Sequence, residues 1–404
     1  MQFTTQKASA PGPGGEAWFS LIRGGPIYLF LRRIGLAAPG WRGAALLCAV
    51  LVAVCFLPLV ILSAMDGTLL ARQAGMPLAG DVATLCRFLI ALPALVLIAP
   101  DSDALSRRAL AHFLDAGLVQ AEGRQAFMQI VKGVVRLRDT VWPELLLVVV
   151  AFLPALLPPG TGPLVGTVAG WSFDADYSLT PAGMWLQFVA KPIWLLVALL
   201  WIWRLVLWAL LLRRITRLDL ALHAAHPDGA GGLGFLPALQ QRLSKFSFAG
   251  GVVIAGAMAN EIIYAGATVE SIRGPLIAYI IIATLLLCLP LFVLAPRLAL
   301  LKRQGLFAYG ALGDAYLRAF EAKWLRPARR PATESEALGE MGGEYGTLTD
   351  LNQAYAVVQN LSIVPVNRYV LAGIALPAVL PMVPVVLLAL GVQELITRLF
   401  SLLG

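Results

Sequence analysis

Residues 194–214 read WLLVALLWIWRLVLWALLLRR, an apolar run broken by one charge, Arg204, and closed by Arg213 and Arg214. About 20 consecutive apolar residues are what an α-helix needs to cross the hydrocarbon core of a bilayer. Extended back over its apolar flank, the block covers 185–212. As a helix it is about 42 Å long against a core near 30 Å, so it must tilt or project.

One face of this helix carries Lys191, Trp194, Ala198, Trp201, Leu205 and Trp208, stepping by threes and fours. Arg204 lies beside both Trp201 and Trp208 on that surface. A guanidinium over an indole gains about 0.5–2 kcal/mol, whereas a charge at the bilayer centre costs at least ~2.5–3.5 kcal/mol on insertion scales. The aromatic stripe Trp194, Trp201 and Trp208 therefore offsets only part of the cost, and Arg204 needs another partner. The intramembrane candidate is Glu261 in GAMANEIIYAG (256–266), with Asn260 beside it. Lys191, Arg204, Asn260 and Glu261 are thus expected to form a polar site between spans 4 and 5. The competing reading is an ion pair that merely knits two helices together. Arg87 reads as an interface anchor.

Six further blocks resemble this one. With 59% hydrophobic and 13% charged residues in 404, the chain reads as an all-α integral membrane protein of about seven transmembrane helices, at 44–64, 82–100, 142–158, 185–212, 247–266, 275–295 and 370–390. Amphipathic helices are expected in the connectors. All but the fifth span contain proline, so kinked helices are expected. Lys and Arg are retained on the cytoplasmic side during insertion. With the N-terminus inside, 25 of the 31 Lys and Arg fall in cytoplasmic segments. The loop 159–183 has none, only Asp174 and Asp176.

The expected organisation follows. A cytoplasmic or interfacial segment (1–43) precedes hairpin 1 (44–100), cytoplasmic helices (101–141) and hairpin 2 (142–212). A helix–loop–helix (213–246), hairpin 3 (247–295), a cytoplasmic stretch (296–369) and the last span with its tail (370–404) complete the chain. The first 43 residues do not read as a secretory signal; 17–33 reads as a segment lying on the membrane surface.

The net charge of +8 is spread over four segments without a recognition motif, so nucleic-acid binding is not expected. Cys48, Cys55, Cys86 and Cys288 all fall in spans and read as small hydrophobes. No cofactor is indicated. Di-iron histidine boxes, a haem-ligating histidine in a span and a nucleophile elbow are all missing from the sequence, which places a membrane enzyme third among the readings.

Within the connectors, 103–119 has apolar residues at helical spacing. The stretch 326–346 reads as a flexible linker, followed by a helix capped by Thr349 whose buried stripe is Leu351, Ala354, Tyr355, Val358 and Leu361. In RLDLALHAAHPDGAGGLGFLPALQQRL (217–243), a helix continuing from span 4 should end at Pro227, Asp228 should bond free backbone amides, and a second helix should start near Leu236. On a continuing helix Asp219, His223 and His226 share one face, a weak divalent-metal candidate beside a purely structural elbow.

HPDGAGGLGFL (226–236), YGALGDAYLRAFEAKW (309–324) and DLNQAYAVVQNLSIVPVNRY (350–369), leading into the proline-rich last span, together resemble a family of bacterial polytopic membrane proteins without an assigned activity. The resemblance covers the C-terminal half, from Leu218 onward. It implies a multi-pass place in the bacterial inner membrane, and no cofactor or catalytic residue.

Kinked spans and intramembrane charges point first to a transporter or channel-like bundle, and a mostly basic route to a small ion or anionic solute. The rival is a sensor or scaffold that docks a cytoplasmic protein through 101–141 and 296–369. In either case the main partner is the lipid bilayer.

Overall fold

The computed structural model describes residues 19–70, 75–156, 170–173, 178–325 and 334–391, without the side chains of 325 and 334–344. Among the described residues the fold is all-helical, with isolated bridges and no strands. In chain order the helices are α1 (Pro26–Arg33), α2 (Trp41–Met65), α3 (Val82–Asp115), α4 (Arg124–Asp139), α5 (Val141–Leu156), α6 (Pro181–Ile215), α7 (Phe235–Ala265), α8 (Val269–Phe292), α9 (Ala295–Phe320), α10 (Glu334–Gln359) and α11 (Arg368–Leu390). Six of them are long and apolar enough to cross a membrane, or seven if the pair α4–α5, bent by 42°, is counted as one span. The chain is an all-α multi-pass membrane protein.

Packing explains why α5 is the membrane half of that bent pair. α4 buries Phe127, Val131 and Val134 in a core shared with Phe113, Leu236 and Leu298, so the connectors after α3, α6 and α8 lie together. α5 instead exposes Trp142, Leu146 and Val149, as a lipid-facing helix does. The opposite connectors also meet: Trp171 N–H donates to Met76 O (2.9 Å) and Tyr264 Oη to the Gly80 carbonyl (3.1 Å). Connectors that share one side need an even number of crossings between them, which α5 and α6 supply. The charge rule predicts that the side carrying the basic connectors faces the cytosol.

α3 and α6 each contain a widened turn, at Cys86–Ala91 and Leu186–Ala190. There Leu92 N–H reaches Arg87 O and Lys191 N–H reaches Leu186 O, five residues back. Pro93 and Pro192 follow immediately. A proline ring collides with the carbonyl four residues before it, and one extra residue in the turn moves that carbonyl aside. α7 is the central helix because its residues are small. A Cβ on Gly256 would stand 3.0 Å from Ala83 Cα, and one on Gly251 2.8 Å from Ala378 O. Small residues let helix backbones approach this closely where lipid supplies no hydrophobic drive.

Three local expectations are corrected. α6 ends at Ile215, not at Pro227. Beyond it the chain turns at 216–218 and then makes an isolated bridge, Ala221 N–H bonding Leu118 O (2.9 Å) while Leu220 is buried in the basic-side core, and this pairing outweighs further helix. Residues 334–346, read as linker, belong to α10, which packs along α9; 326–333 lie outside the described residues. Thr349 is therefore mid-helix, its Oγ1 donating to Tyr345 O (3.0 Å), and caps nothing. Of the predicted stripe, Val358 and Leu361 are buried, while Tyr355 is exposed.

α6 projects as its length requires. Leu207, Leu211, Leu212 and Ile215 are wholly buried in the basic-side core with Phe127 and Leu236. Trp201 stacks on Phe246 (5.6 Å between ring centres), beside Lys245, which pairs with Asp101 (3.6 Å). Arg204, one turn further on, thus lies level with this ion pair at the basic end of the bundle rather than midway along it.

Candidate functional site

Two charged chambers open along α6. The first lies toward the side opposite the basic connectors, where α3 runs between α6 and α7. Asp81 caps α3 by accepting from Thr84 N–H (3.0 Å) and Thr84 Oγ1 (2.6 Å). Its carboxylate also accepts from Trp171 Nε1 (3.0 Å) and Asn260 Nδ2 (2.8 Å), while Asn260 Oδ1 takes the Val82 N–H (2.9 Å). Four neutral donors therefore occupy a carboxylate that has two cations as neighbours.

Those cations are Arg87 and Lys191. Arg87, only 8% exposed, lies over Trp194 at 5.7 Å from the ring centre. Among the described residues its guanidinium makes no hydrogen bond or ion pair. Lys191 Nζ reaches Gln187 Oε1 at 3.4 Å. Together with Asp81, Asn260 and Glu261 they line a cavity of about 70 Å³, room for a small ion or a few waters. The widened turns of α3 and α6 carry Arg87 and Gln187 into it.

Lys191, Asn260 and Glu261 thus share one chamber, and Arg204 does not. It lies 13 residues from Lys191 along α6, about 20 Å. The expected Arg204–Glu261 pair is not formed, because the projection of α6 takes Arg204 to the basic end of the bundle while Glu261 stands near the other end of α7. The aromatic stripe divides likewise. Trp194 meets Arg87, Trp201 lies under Arg204 (5.1 Å), and Trp208 packs in the basic-side core. Between the chambers Trp201 Nε1 is tied to Leu95 O (3.0 Å).

Arg204 faces the second chamber, about 520 Å³, enclosed by the N-terminal segment, α2, α3 and α6 and mostly apolar. The carboxylates acting on it are Glu144 and Asp103, and both are engaged elsewhere. Glu144 Oε2 accepts Ile27 N–H (2.7 Å). Asp103 holds Ser20 Oγ, Arg107 and, at 3.5 Å, Arg23. Arg138 pairs with Asp139 (2.7 Å) and donates to Ser20 O. Among the described residues Arg204 has no hydrogen-bond or ion-pair partner.

Sequence reasoning missed Arg87, Asp81 and Trp171. Arg87 was expected at an interface; the helix beside it instead buries it against Trp194. The one available signal was Asp81 three residues before Thr84 at the start of an apolar run, a capping pattern. Trp171 sits in a loop that no periodicity places.

The metal candidate disperses, because its residues are not on a helix. Asp219 pairs with Arg297 (3.1 Å), His223 N–H bonds Gly231 O (3.3 Å), and His226 Nδ1 lies 2.8 Å from Asp228 Oδ1. The described residues hold no cluster of three metal-ligating side chains. Asp228 instead organises the glycine loop, accepting N–H bonds from Ala230 (2.8 Å), Gly232 (3.1 Å) and Gly234 (2.8 Å). Partial burial pushes its pKa up, but these amides and His226 outweigh it and hold the carboxyl below its ordinary value. Gly231 (φ 68°) and Gly232 (φ 98°) adopt the left-handed turns that the loop needs.

No protein-family model matches the chain, and neither does any curated protein or solved structure.

Proposed function

We propose that the protein is a transporter for a small anionic solute, bound in the chamber formed by α3, α6 and α7. The observation that carries this reading is Arg87, a buried guanidinium without an acceptor, next to Lys191. A guanidinium presents five N–H donors, and a buried charge left unpaired is costly. Asp81 is close but is already occupied by Thr84, Trp171 and Asn260, so the free donor capacity faces the cavity. A small oxyanion fits both the donors and the volume.

A carrier suits the geometry better than an open pore. Trp194, Val197 and Trp201 pack against α3 between the two chambers, so passage requires the helices to move. The widened turns before Pro93 and Pro192 give α3 and α6 places to bend. The motifs from Leu218 onward favour the bacterial inner membrane as the setting. The test is flux in proteoliposomes under a formate, acetate or inorganic phosphate gradient. Wild-type protein should pass at least one, and Arg87→Ala should cut the rate about tenfold or more; liposomes that stay tight to all three refute it.

A second reading is favoured by the α9–α10 hairpin, which exposes Phe307, Leu312 and Tyr345. A cytoplasmic protein could dock there. Cross-linking in cells should then recover a partner that disappears when 326–361 is deleted.

A further inference from the structure

We infer that the second chamber binds one anionic phospholipid of the adjacent leaflet, its phosphate on Arg204 and one acyl chain in the apolar cavity. Three independent features converge on this occupant.

The first is charge. Of the cations at this chamber, Arg23 and Arg138 are spoken for by Asp103 and Asp139. Arg204 is not, although Glu144 is near enough to act on it. Glu144 accepts instead from Ile27 N–H, at the start of α1. Trp201, fixed by Leu95 O, holds the guanidinium from one side, leaving its donors unspent. A phosphate takes a guanidinium in bidentate fashion.

The second is the shape and chemistry of the wall. About 520 Å³ lies beyond Arg204, lined by Leu31, Leu47, Leu51, Leu196 and Leu200. That volume is within the range of sites for molecules much larger than an inorganic ion, and its apolar wall offers a soluble anion nothing. It suits one acyl chain, not two, so the second chain would lie outside on α2, whose Leu46 and Leu57 are exposed.

The third is level. Arg204 stands beside the Lys245–Asp101 pair and the α4–α5 bend, at the depth of lipid headgroups. α1 roofs the chamber with Ile27, Phe30 and Leu31 on its wall and Leu29 exposed on the outer face, as an interfacial helix does. A phospholipid at this level has its phosphate at Arg204 without leaving the bilayer.

This inference does not depend on anion transport through the first chamber. Full-length protein in detergent micelles is mixed with phosphatidylglycerol carrying a diazirine in one acyl chain, irradiated, and its labelled peptides are mapped. Label should fall within 31–51 and 193–204. Arg204→Ala should reduce it about tenfold, Arg204→Lys less, and Arg87→Ala not at all. Leu200→Trp fills the cavity while leaving Arg204 in place, and should reduce labelling as strongly, which guards against a misfolded arginine variant. Labelling of the Arg204→Ala and Leu200→Trp proteins at the wild-type level would overturn the inference. So would equal labelling by a phosphatidylcholine probe, or diazirine-palmitate displacing the phosphatidylglycerol, which would make the occupant a free fatty acid.

Discussion

The guanidinium of Arg87 lies over the indole of Trp194, 5.7 Å from the ring centre, and the nearby carboxylate of Asp81 is taken up by Thr84, Trp171 and Asn260. Arg87 is thereby positioned without being neutralised. In the transport reading its planar fork binds the solute, so Arg87→Lys should raise KM several-fold and change the maximal rate little. Trp194→Leu removes a contact of about 0.5–2 kcal/mol and should act in the same direction but more weakly. Concentration series of the flux would check both. A fall in maximal rate at unchanged KM would speak against a binding role for Arg87.

Asn260 joins α7 to α3 twice, through Val82 N–H and Asp81. Asn260→Ala leaves a backbone donor and a carboxylate oxygen short of partners in a buried place, at a cost of about 2–3 kcal/mol. Thermal unfolding in micelles should show the loss even if no solute is present. An unchanged midpoint would mean that water replaces the amide.

The helical membrane architecture is legible from composition, because apolar blocks of this length have few alternatives. So was the inference that α6 is too long for the bilayer, yet not which end projects. That depends on Leu207, Leu211 and Ile215 finding Phe127 and Leu236, residues brought in by other connectors, and hydropathy counts a core leucine and a lipid-facing one alike. Counting depth from residue 213 therefore placed Arg204 in mid-bilayer and paired it with Glu261. The bridged stretch after Ile215 was missed for a related reason: its pairing partner at Leu118–Val119 is about a hundred residues away. Asp228 as an acceptor for the glycine loop was readable because that interaction is local.

α7 should tolerate no added side chain where it meets its neighbours. At Gly251 a Cβ would stand 2.8 Å from Ala378 O, a backbone atom that cannot rotate away. Gly251→Ala must push α11 from α7 and should destabilise by about 1–3 kcal/mol. Gly274 is the internal control, since a Cβ there meets nothing within 4 Å. In the helix α8, Gly274→Ala should be neutral or stabilising by up to about 1 kcal/mol. Equal effects at the two sites would contradict the close α7–α11 approach.

The glycine loop should loosen in acid through Asp228. Its carboxylate accepts from Ala230, Gly232 and Gly234, and its pKa in the folded protein lies below the ordinary value. A group depressed on folding contributes stability that is complete above its unfolded pKa, near 4 for an aspartate, and is lost as pH falls through the lower folded value. Asp228→Asn keeps an acceptor but cannot titrate, so it should be less stable than wild type at neutral pH, where the charged acceptor forms the stronger bonds. The gap should close below about pH 4. Thermal midpoints of the two proteins across pH 3–7, taken as a difference, cancel the other carboxylates. A gap that is constant over this range, or widens in acid, would show that the loop does not depend on the charge of Asp228.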